Sequence, residues 1–324
     1  MNLYLVTGGA GFIGSHIATG LVARGDRVRV LDDLSSGDPA NLAHLAGETR
    51  GGQPAVELVE GDVTDPASVA AAARGARGIF HEAAQVSVPQ SFEDPRRSLE
   101  VNLLGTLRVL EAARDAGVRG VVLAASSAAY GNSEELPKHE GMTPTPLSPY
   151  AVGKVGAEHL MAVWGREHDL HTACLRYFNI FGPRQADDSP YTGVIAIFAR
   201  ALLEGRSATI WGDGEQSRDF TYVEDVVRAN LLAMDAELEP GAVINVGAGQ
   251  RVTVNQLWAS MAEHLGSDLV PEHGPDRAGD VRHSQASLER ARALLGYEPR
   301  VAWREGLATT LDWYAERHGS ARAG

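Results

Sequence analysis

The stretch Leu3-Tyr4-Leu5-Val6-Thr7-Gly8-Gly9-Ala10-Gly11-Phe12-Ile13-Gly14-Ser15-His16 constrains the fold more than any other part of the chain. An apolar run long enough for a buried strand gives way to glycines, then to a helical pattern through Ile17, Ala18, Leu21 and Val22. Strand, glycine turn and helix in that order make a dinucleotide-binding fingerprint. Gly9-x-Gly11-x-x-Gly14 fits the usual spacing, and Gly8-x-x-Gly11-x-x-Gly14 fits its longer variant. Glycines let the backbone turn sharply and bring a pyrophosphate against the positive end of a helix. A second strand, Arg27-Val28-Arg29-Val30-Leu31, ends in Asp32 and Asp33. Asp32 stands near the distance expected of a carboxylate that binds a ribose diol, and an acid there repels a 2′-phosphate, so NAD is favoured over NADP.

The rest of the first half repeats that alternation. Val56-Glu57-Leu58-Val59-Glu60 reads as a third strand, 66–74 as an alanine-rich helix, and Gly78-Ile79-Phe80-His81 as a fourth strand. A helix is expected over 95–116, then a strand, Gly120-Val121-Val122-Leu123-Ala124-Ala125, that runs into Ser126-Ser127. Strands alternating with helices imply a parallel sheet covered on both faces, with ligands beyond the carboxyl ends of its strands. Gly9–Gly14, Asp32, Asp62, Ala83-Ala84 and Ser126 all fall at such ends. The expected fold class is therefore a Rossmann-type doubly wound parallel sheet with a smaller mixed α/β C-terminal lobe. The expected division is residues 1–176 for the NAD-binding domain, with a segment near 220–248 returning to it, and 177–324 for the substrate-binding domain.

Charge and cysteine content set limits on the ligands. A net charge of −13 argues against nucleic acid as a partner, so an anionic ligand needs local arginines. The single cysteine, Cys174, allows no internal disulfide, and no Cys/His cluster has metal-ligand spacing, so no metal is expected. No apolar run approaches membrane-span length and the first strand begins at once, so a cytoplasmic protein is expected. His16 and His81 read as packed or solvated, Phe198 and Trp211 as core.

After a Pro/Ser/Thr-rich loop, the segment Tyr150-Ala151-Val152-Gly153-Lys154 opens a helix and puts Tyr150 and Lys154 on one face, four residues apart. A tyrosine beside an ammonium is a candidate base, because a nearby positive charge favours phenolate. A phenol brought down by about 3 pH units is stabilised as the anion by roughly 4 kcal/mol. Ser126 can hydrogen-bond the same substrate oxygen as it becomes a carbonyl.

Taken with TGGAGFIGSH, SSAAYG, SPYAVGK, RYFNIFGPRQ, GEQSRDFTYVEDV and GDVRHS, these residues resemble the extended short-chain dehydrogenase/reductase family, and within it the NAD-dependent nucleotide-sugar 4-epimerases. The resemblance spans nearly the whole chain. It implies Ser126, Tyr150 and Lys154 as the catalytic group. It implies a cofactor site made of Gly8, Gly11, Phe12, Ile13, Gly14, Asp32, Asp33, Asp62, Val63, Ala83, Ala84, Asn102, Ala124, Tyr150, Lys154 and Tyr177. Within it, Asp32 and Asp33 hold the ribose, Asp62-Val63 the adenine edge, and Tyr177 sits by the nicotinamide. Substrate contacts are implied for Ser87, Ser126, Asn179, Arg218, Arg277, Asp280 and Ser284, with Asn179, Arg218 and Arg277 on the UDP diphosphate. It also implies a homodimer built on the helices near 95–116 and after Tyr150.

Departures from related patterns narrow the chemistry. Sugar dehydratases of this family carry an Asp-Glu pair after the catalytic hydroxyl residue, and Ser127-Ala128 stand there instead. Uronate 4-epimerases often carry a second arginine after the Gly-Pro-Arg-Gln segment, whereas Ala186-Asp187-Asp188 follow here and would repel a carboxylate. UDP-hexose 4-epimerisation is the expected activity, UDP-glucuronate epimerisation the alternative, and a non-catalytic NAD-dependent sensor the reading from another class. Ser284 aligns with a position that borders the sugar C2 substituent in the resembling enzymes, where a small residue leaves room for N-acetylhexosamines.

Overall fold

The computed structural model describes residues 1–186, 193–276 and 281–322 of the chain. Seven strands form one parallel sheet: β1 (Leu3–Thr7), β2 (Arg27–Asp32), β3 (Val56–Glu60), β4 (Gly78–His81), β5 (Gly120–Ser126), β6 (His171–Tyr177) and β7 (Ala242–Val246). Their lateral order is β7-β6-β5-β4-β1-β2-β3. The chain works outward from β1 to β3, then crosses to the other side of β1 for β4. A ligand crevice is expected where the direction reverses, beyond the carboxyl ends of β1 and β4. Thr7 and His81 stand side by side at that point.

Both faces of the sheet are covered, and the strand sequences show why. Tyr4 and Val6 of β1 pack on one face with Ile17, Leu21, Val226 and Ala229; Leu5 packs on the other with Val69, Val109 and Met161. Side chains alternate across a strand, so nearly continuous apolar runs such as Val121-Val122-Leu123 feed both layers at once. The first layer holds α1 (Phe12–Ala23), and the second holds α2 (Pro66–Ala73), α3 (Gly105–Asp115) and α4 (Pro149–His168). Between α4 and β7 lie α5 (Val194–Leu203) and α6 (Val223–Asp235), of which α6 covers the first face. A third apolar cluster joins α5 to α7 (Val254–His264) and α8 (Trp303–Arg322) through Phe198, Leu257, Trp258, Leu311 and Tyr314.

Helix starts follow their caps. Asp65 accepts the Ala67 and Ser68 amides ahead of α2, Ser148 accepts the Ala151 amide with Pro149 at the first turn of α4, and Thr253 and Gln256 form a capping box on α7. The helix expected over 95–116 is interrupted. It runs as Pro95–Leu99, a wider π turn over Glu100–Leu104, and α3. Hydrophobic spacing does not report one extra residue in a turn, and such turns gather at functional sites. Phe198 is core as expected, but Trp211 is half exposed on a short strand pair with Glu272–Gly274.

Candidate active site

The glycine turn forms a close cradle at the β1 carboxyl end. Gly8 has φ +67°, and a Cβ there would lie 2.7 Å from the Ala83 nitrogen. A Cβ on Gly14 would collide with the Gly8 carbonyl oxygen. Gly11 caps α1 without a side chain, so no side-chain acceptor closes off the amides of Phe12, Ile13 and Gly14. An opening of that kind suits a pyrophosphate.

Three acids and an arginine define the adjoining rim. Asp32 is buried; its carboxylate accepts the Ala10 and Leu34 amides at 2.9 and 3.0 Å, and burial raises its pKa. Asp33 accepts the Ser35 amide and hydroxyl at 3.0 and 2.6 Å. Asp62 takes the Thr64 amide at 2.7 Å and the Arg97 guanidinium at 2.9 Å. Desolvation pushes the Asp62 carboxyl up, but those two donors hold it below the usual carboxylate range. Arg97 also reaches to 3.8 Å from Asp33. The sequence gives no sign of Arg97, whose role comes from the Asp94-capped turn that carries it to β2 and β3.

The far wall is the segment after β4. Ala83 donates to the Thr7 hydroxyl at 3.3 Å, and Ala84 follows it. Asn102, in the π turn, is buried and clamps the Gln85 backbone twice, accepting its N–H at 3.1 Å and donating to its carbonyl at 3.0 Å. Val63 lies beneath Gly105 at the start of α3. Ser87 caps the short helix Val88–Glu93 through the Gln90 amide. His81 is held between the Thr7 and Thr106 hydroxyls at 2.7 and 3.1 Å, and desolvation then the Lys154 charge push it down to about 3, so it is a packed neutral ring. His16 is likewise packed against the Pro183 carbonyl, at 2.9 Å.

Ser126, Tyr150 and Lys154 meet at the β5 carboxyl end. Ser126 stands near Tyr150 and favours its phenolate form, and its hydroxyl accepts the Ala128 amide at 3.2 Å. Lys154 is buried, with its Nζ donating to the Ala124 carbonyl at 2.8 Å. Desolvation brings its pKa down to about 8, against the pull of Glu82 and Glu158. The expected depressed phenol is not found in the protein alone. Burial raises the Tyr150 pKa, and Ser126 offsets this only in part.

Two neighbours were not anticipated. Tyr177 donates to Glu82 Oε1 at 2.9 Å and accepts from Asn230 Nδ2 at 2.7 Å. Desolvation pushes Glu82 up to about 7, opposed by the Tyr177 hydroxyl and the Lys154 charge. Glu82 adjoins the predicted Ala83-Ala84, so its place at a strand end was a usable signal; Asn230 comes from α6 and gave none.

A second cluster faces the C-terminal lobe. Ser217–Arg218 pairs with Val252–Thr253, and the Ser284 amide donates to the Ser217 carbonyl at 3.0 Å, so Arg218 and Ser284 lie on adjoining segments. Arg218 donates to the Ser217 carbonyl at 3.0 Å. Asn179, with φ +38°, donates to the Asp219 carbonyl at 3.4 Å. Asp219 is fully buried and gathers the Ala248, Gly249 and Ala286 amides at 2.8, 3.0 and 2.9 Å, which ties these segments together. Arg277, Asp280, Asp187 and Asp188 lie outside the described residues. Among the described residues, no His/Cys/Asp/Glu group could hold a metal ion and no helix is long and apolar enough to cross a membrane.

Residues 4–247 match the NAD dependent epimerase/dehydratase family. The chain is 40% identical over 97% of its length, and 98% of the other's, to a UDP-glucose 4-epimerase of Mycolicibacterium smegmatis. It is similar to a solved UDP-glucose 4-epimerase from Thermotoga maritima with UDP-glucose, at TM-score 0.90 and 38% identity over 98% of this chain and 99% of that one. It is also similar to a UDP-N-acetylglucosamine 4-epimerase from Methanobrevibacter ruminantium M1 in complex with UDP-N-acetylmuramic acid, at TM-score 0.90 and 34% identity over the same shares. The glycine cradle, acid rim and switch-point crevice are those of a nucleotide-binding enzyme, and the chain belongs to the NAD-dependent epimerase/dehydratase family. It is an NAD-dependent epimerase, and the cradle around Gly8, Gly11 and Gly14 fits its cofactor.

Proposed function

We propose that this epimerase interconverts UDP-hexoses that differ at C4, acting on UDP-glucose and UDP-galactose and on their N-acetylated counterparts. One observation carries the reading: Ser126, Tyr150 and Lys154 converge at one strand end beside the glycine cradle. The names of the similar enzymes agree with it.

In this reading Gly8, Gly11, Phe12, Ile13 and Gly14 hold the pyrophosphate, and Asp32, Asp33, Asp62 and Val63 the adenosine end. Ala83, Ala84, Asn102, Ala124, Lys154 and Tyr177 line the nicotinamide end. NAD, when bound there, supplies a hydride acceptor and donor and a positive ring that favours the Tyr150 phenolate. Tyr150 takes the proton from the C4 hydroxyl and later gives it back. Ser126 hydrogen-bonds the C4 oxygen while it is a carbonyl. Lys154 keeps a positive charge beside the phenol. Arg218, with Asn179 and Arg277, neutralises the diphosphate, which an arginine's planar fork suits. Ser87 and Ser284 contact the sugar in this reading, and Asp280 is proposed as a further substrate residue. The NAD-binding domain comprises residues 1–176 with the segment near 220–248, and the substrate-binding domain the remainder of 177–324. The enzyme is a cytoplasmic homodimer in which the buried thiol of Cys174 stays reduced.

The test is incubation of purified protein, without added NAD, with UDP-galactose, UDP-N-acetylgalactosamine or UDP-glucuronate, followed by separation of products. Conversion of the first two supports the reading. Conversion of UDP-glucuronate alone, or of none, overturns it.

A further inference from the structure

We propose that Asp219 is a positioning residue for substrate binding: its carboxylate gathers three backbone N–H groups, fixes the segment 282–286 beside Arg218, and so sets where the Arg218 guanidinium stands. The proposal rests on the reading that Arg218 takes the diphosphate of the substrate.

Arg218 leans on main-chain oxygens. Its guanidinium donates to the Ser217 carbonyl at 3.0 Å and to the Arg282 carbonyl at 3.4 Å. Those two residues are themselves laced together. The Ser217 N–H donates to the Arg282 carbonyl at 3.0 Å, and the Ser284 N–H returns to the Ser217 carbonyl at 3.0 Å. The Ser217 hydroxyl meets His283 Nδ1 at 2.8 Å. The Arg282 carbonyl thus receives both the Ser217 backbone and the head of Arg218. A shift of the segment 282–286 takes one rest of the guanidinium with it.

Asp219 ties that segment to the central sheet. Its Oδ1 accepts the Ala248 N–H at 2.8 Å, just beyond the end of β7. Its Oδ2 accepts the Gly249 N–H at 3.0 Å and the Ala286 N–H at 2.9 Å. Gly247 lets these pieces close up, because a Cβ there would lie 2.6 Å from the Ala286 Cβ and 3.0 Å from Asp219 Oδ2. Asp219 follows Arg218 directly in the chain, so Ala286 and the arginine are referenced to one stretch of backbone. Asn179 joins the same stretch through the Asp219 carbonyl. Hydrogen bonds to a carboxylate are stronger than those between neutral groups, and a buried N–H left without an acceptor is costly. Without the carboxylate, the segment moves to give its amides to water, and the Arg282 carbonyl moves with it.

The test measures UDP binding to the NAD-loaded enzyme by calorimetry. R218A should weaken UDP by about tenfold or more. D219A removes all three acceptors and should weaken UDP by about tenfold as well. D219N keeps one acceptor oxygen and should fall between D219A and the wild type. The R218A/D219A double variant should bind UDP no more weakly than R218A alone, because Asp219 acts through the guanidinium. With UDP-galactose, D219A should raise KM more than it lowers kcat, and its NAD content should stay as in the wild type. G247A leaves the carboxylate in place and drives Ala286 from it, so it should weaken UDP by the same route even if D219A does not fold. Unchanged UDP affinity in the folded variants overturns the proposal, as does a double variant in which the two losses add in full. An R218A that binds UDP as the wild type does overturns both the proposal and the diphosphate role of Arg218. UDP binding needs no turnover: an enzyme that shows the expected pattern yet converts no UDP-sugar refutes the proposed activity and leaves the role of Asp219 standing.

Discussion

At the scale of single residues the account turns on one hydroxyl. Tyr150→Phe removes the hydroxyl proposed as the acid/base group and little else, since the ring stands at the start of α4. Turnover should fall about a hundredfold or more while NAD content and circular dichroism stay as in the wild type; near-normal turnover would refute the assigned role. Ser284 tests the other end of the site. It is half-buried and anchored by its backbone to Ser217, so a larger side chain intrudes without disturbing Arg218's strand. Ser284→Tyr should abolish conversion of UDP-N-acetylgalactosamine and largely spare UDP-galactose. Equal slowing of both would show that Ser284 is not the gate. Tyr150, Lys154 and Ser126 were legible because helix spacing and strand ends fix which side chains share a face. Glu82's partners were not, because Tyr177 lies 95 residues away and only the closed sheet makes them neighbours.

At the scale of elements, close packing and buried charge set the tolerance to change. Gly14 brings α1 against the Gly8 carbonyl, so Gly14→Ala should cost roughly 1–3 kcal/mol and lower the NAD content of the purified protein. A variant with wild-type stability and full NAD would show that the approach is looser than described. The Glu158–Arg176 pair bolts α4 to β6 beneath the active site, with the Arg176 guanidinium 4.7 Å from the Tyr130 ring centre. Glu158→Gln strands a buried guanidinium and should destabilise the fold by about 3–5 kcal/mol in urea unfolding. A loss under 1 kcal/mol would mean that water reaches Arg176. Strands were the easiest elements to place from sequence, because a parallel sheet buried on both faces demands unbroken apolar runs. The π turn at Glu100–Leu104 was not, since hydrophobic spacing does not report one extra residue in a turn, nor were the helices Val254–His264 and Trp303–Arg322, whose packing is set by the third apolar cluster rather than by local pattern.

At the scale of the whole molecule, an apolar face remains uncovered beside the site. Phe92, Leu104, Val152 and Val163 are exposed on neighbouring helices, where Leu103 packs over Gly156. Single exposed apolar residues are ordinary, but several on one face mark an interface. A variant with Leu104→Glu and Val152→Glu should sediment as a monomer where the wild type sediments as a dimer; a monomeric wild type would refute the expected homodimer. The reversal of strand order at β1 and β4 opens a crevice beside the glycine cradle and the strand end that carries Ser126, and in the proposed reading this is what joins redox and proton chemistry at a single sugar carbon. The most direct measurement of that claim follows one hydrogen. Purified protein without added NAD is given UDP-glucose carrying deuterium at C4, and the UDP-galactose formed is examined by mass spectrometry and NMR. The account predicts deuterium retained at C4 of the product; its loss to water, or no interconversion at all, would contradict it.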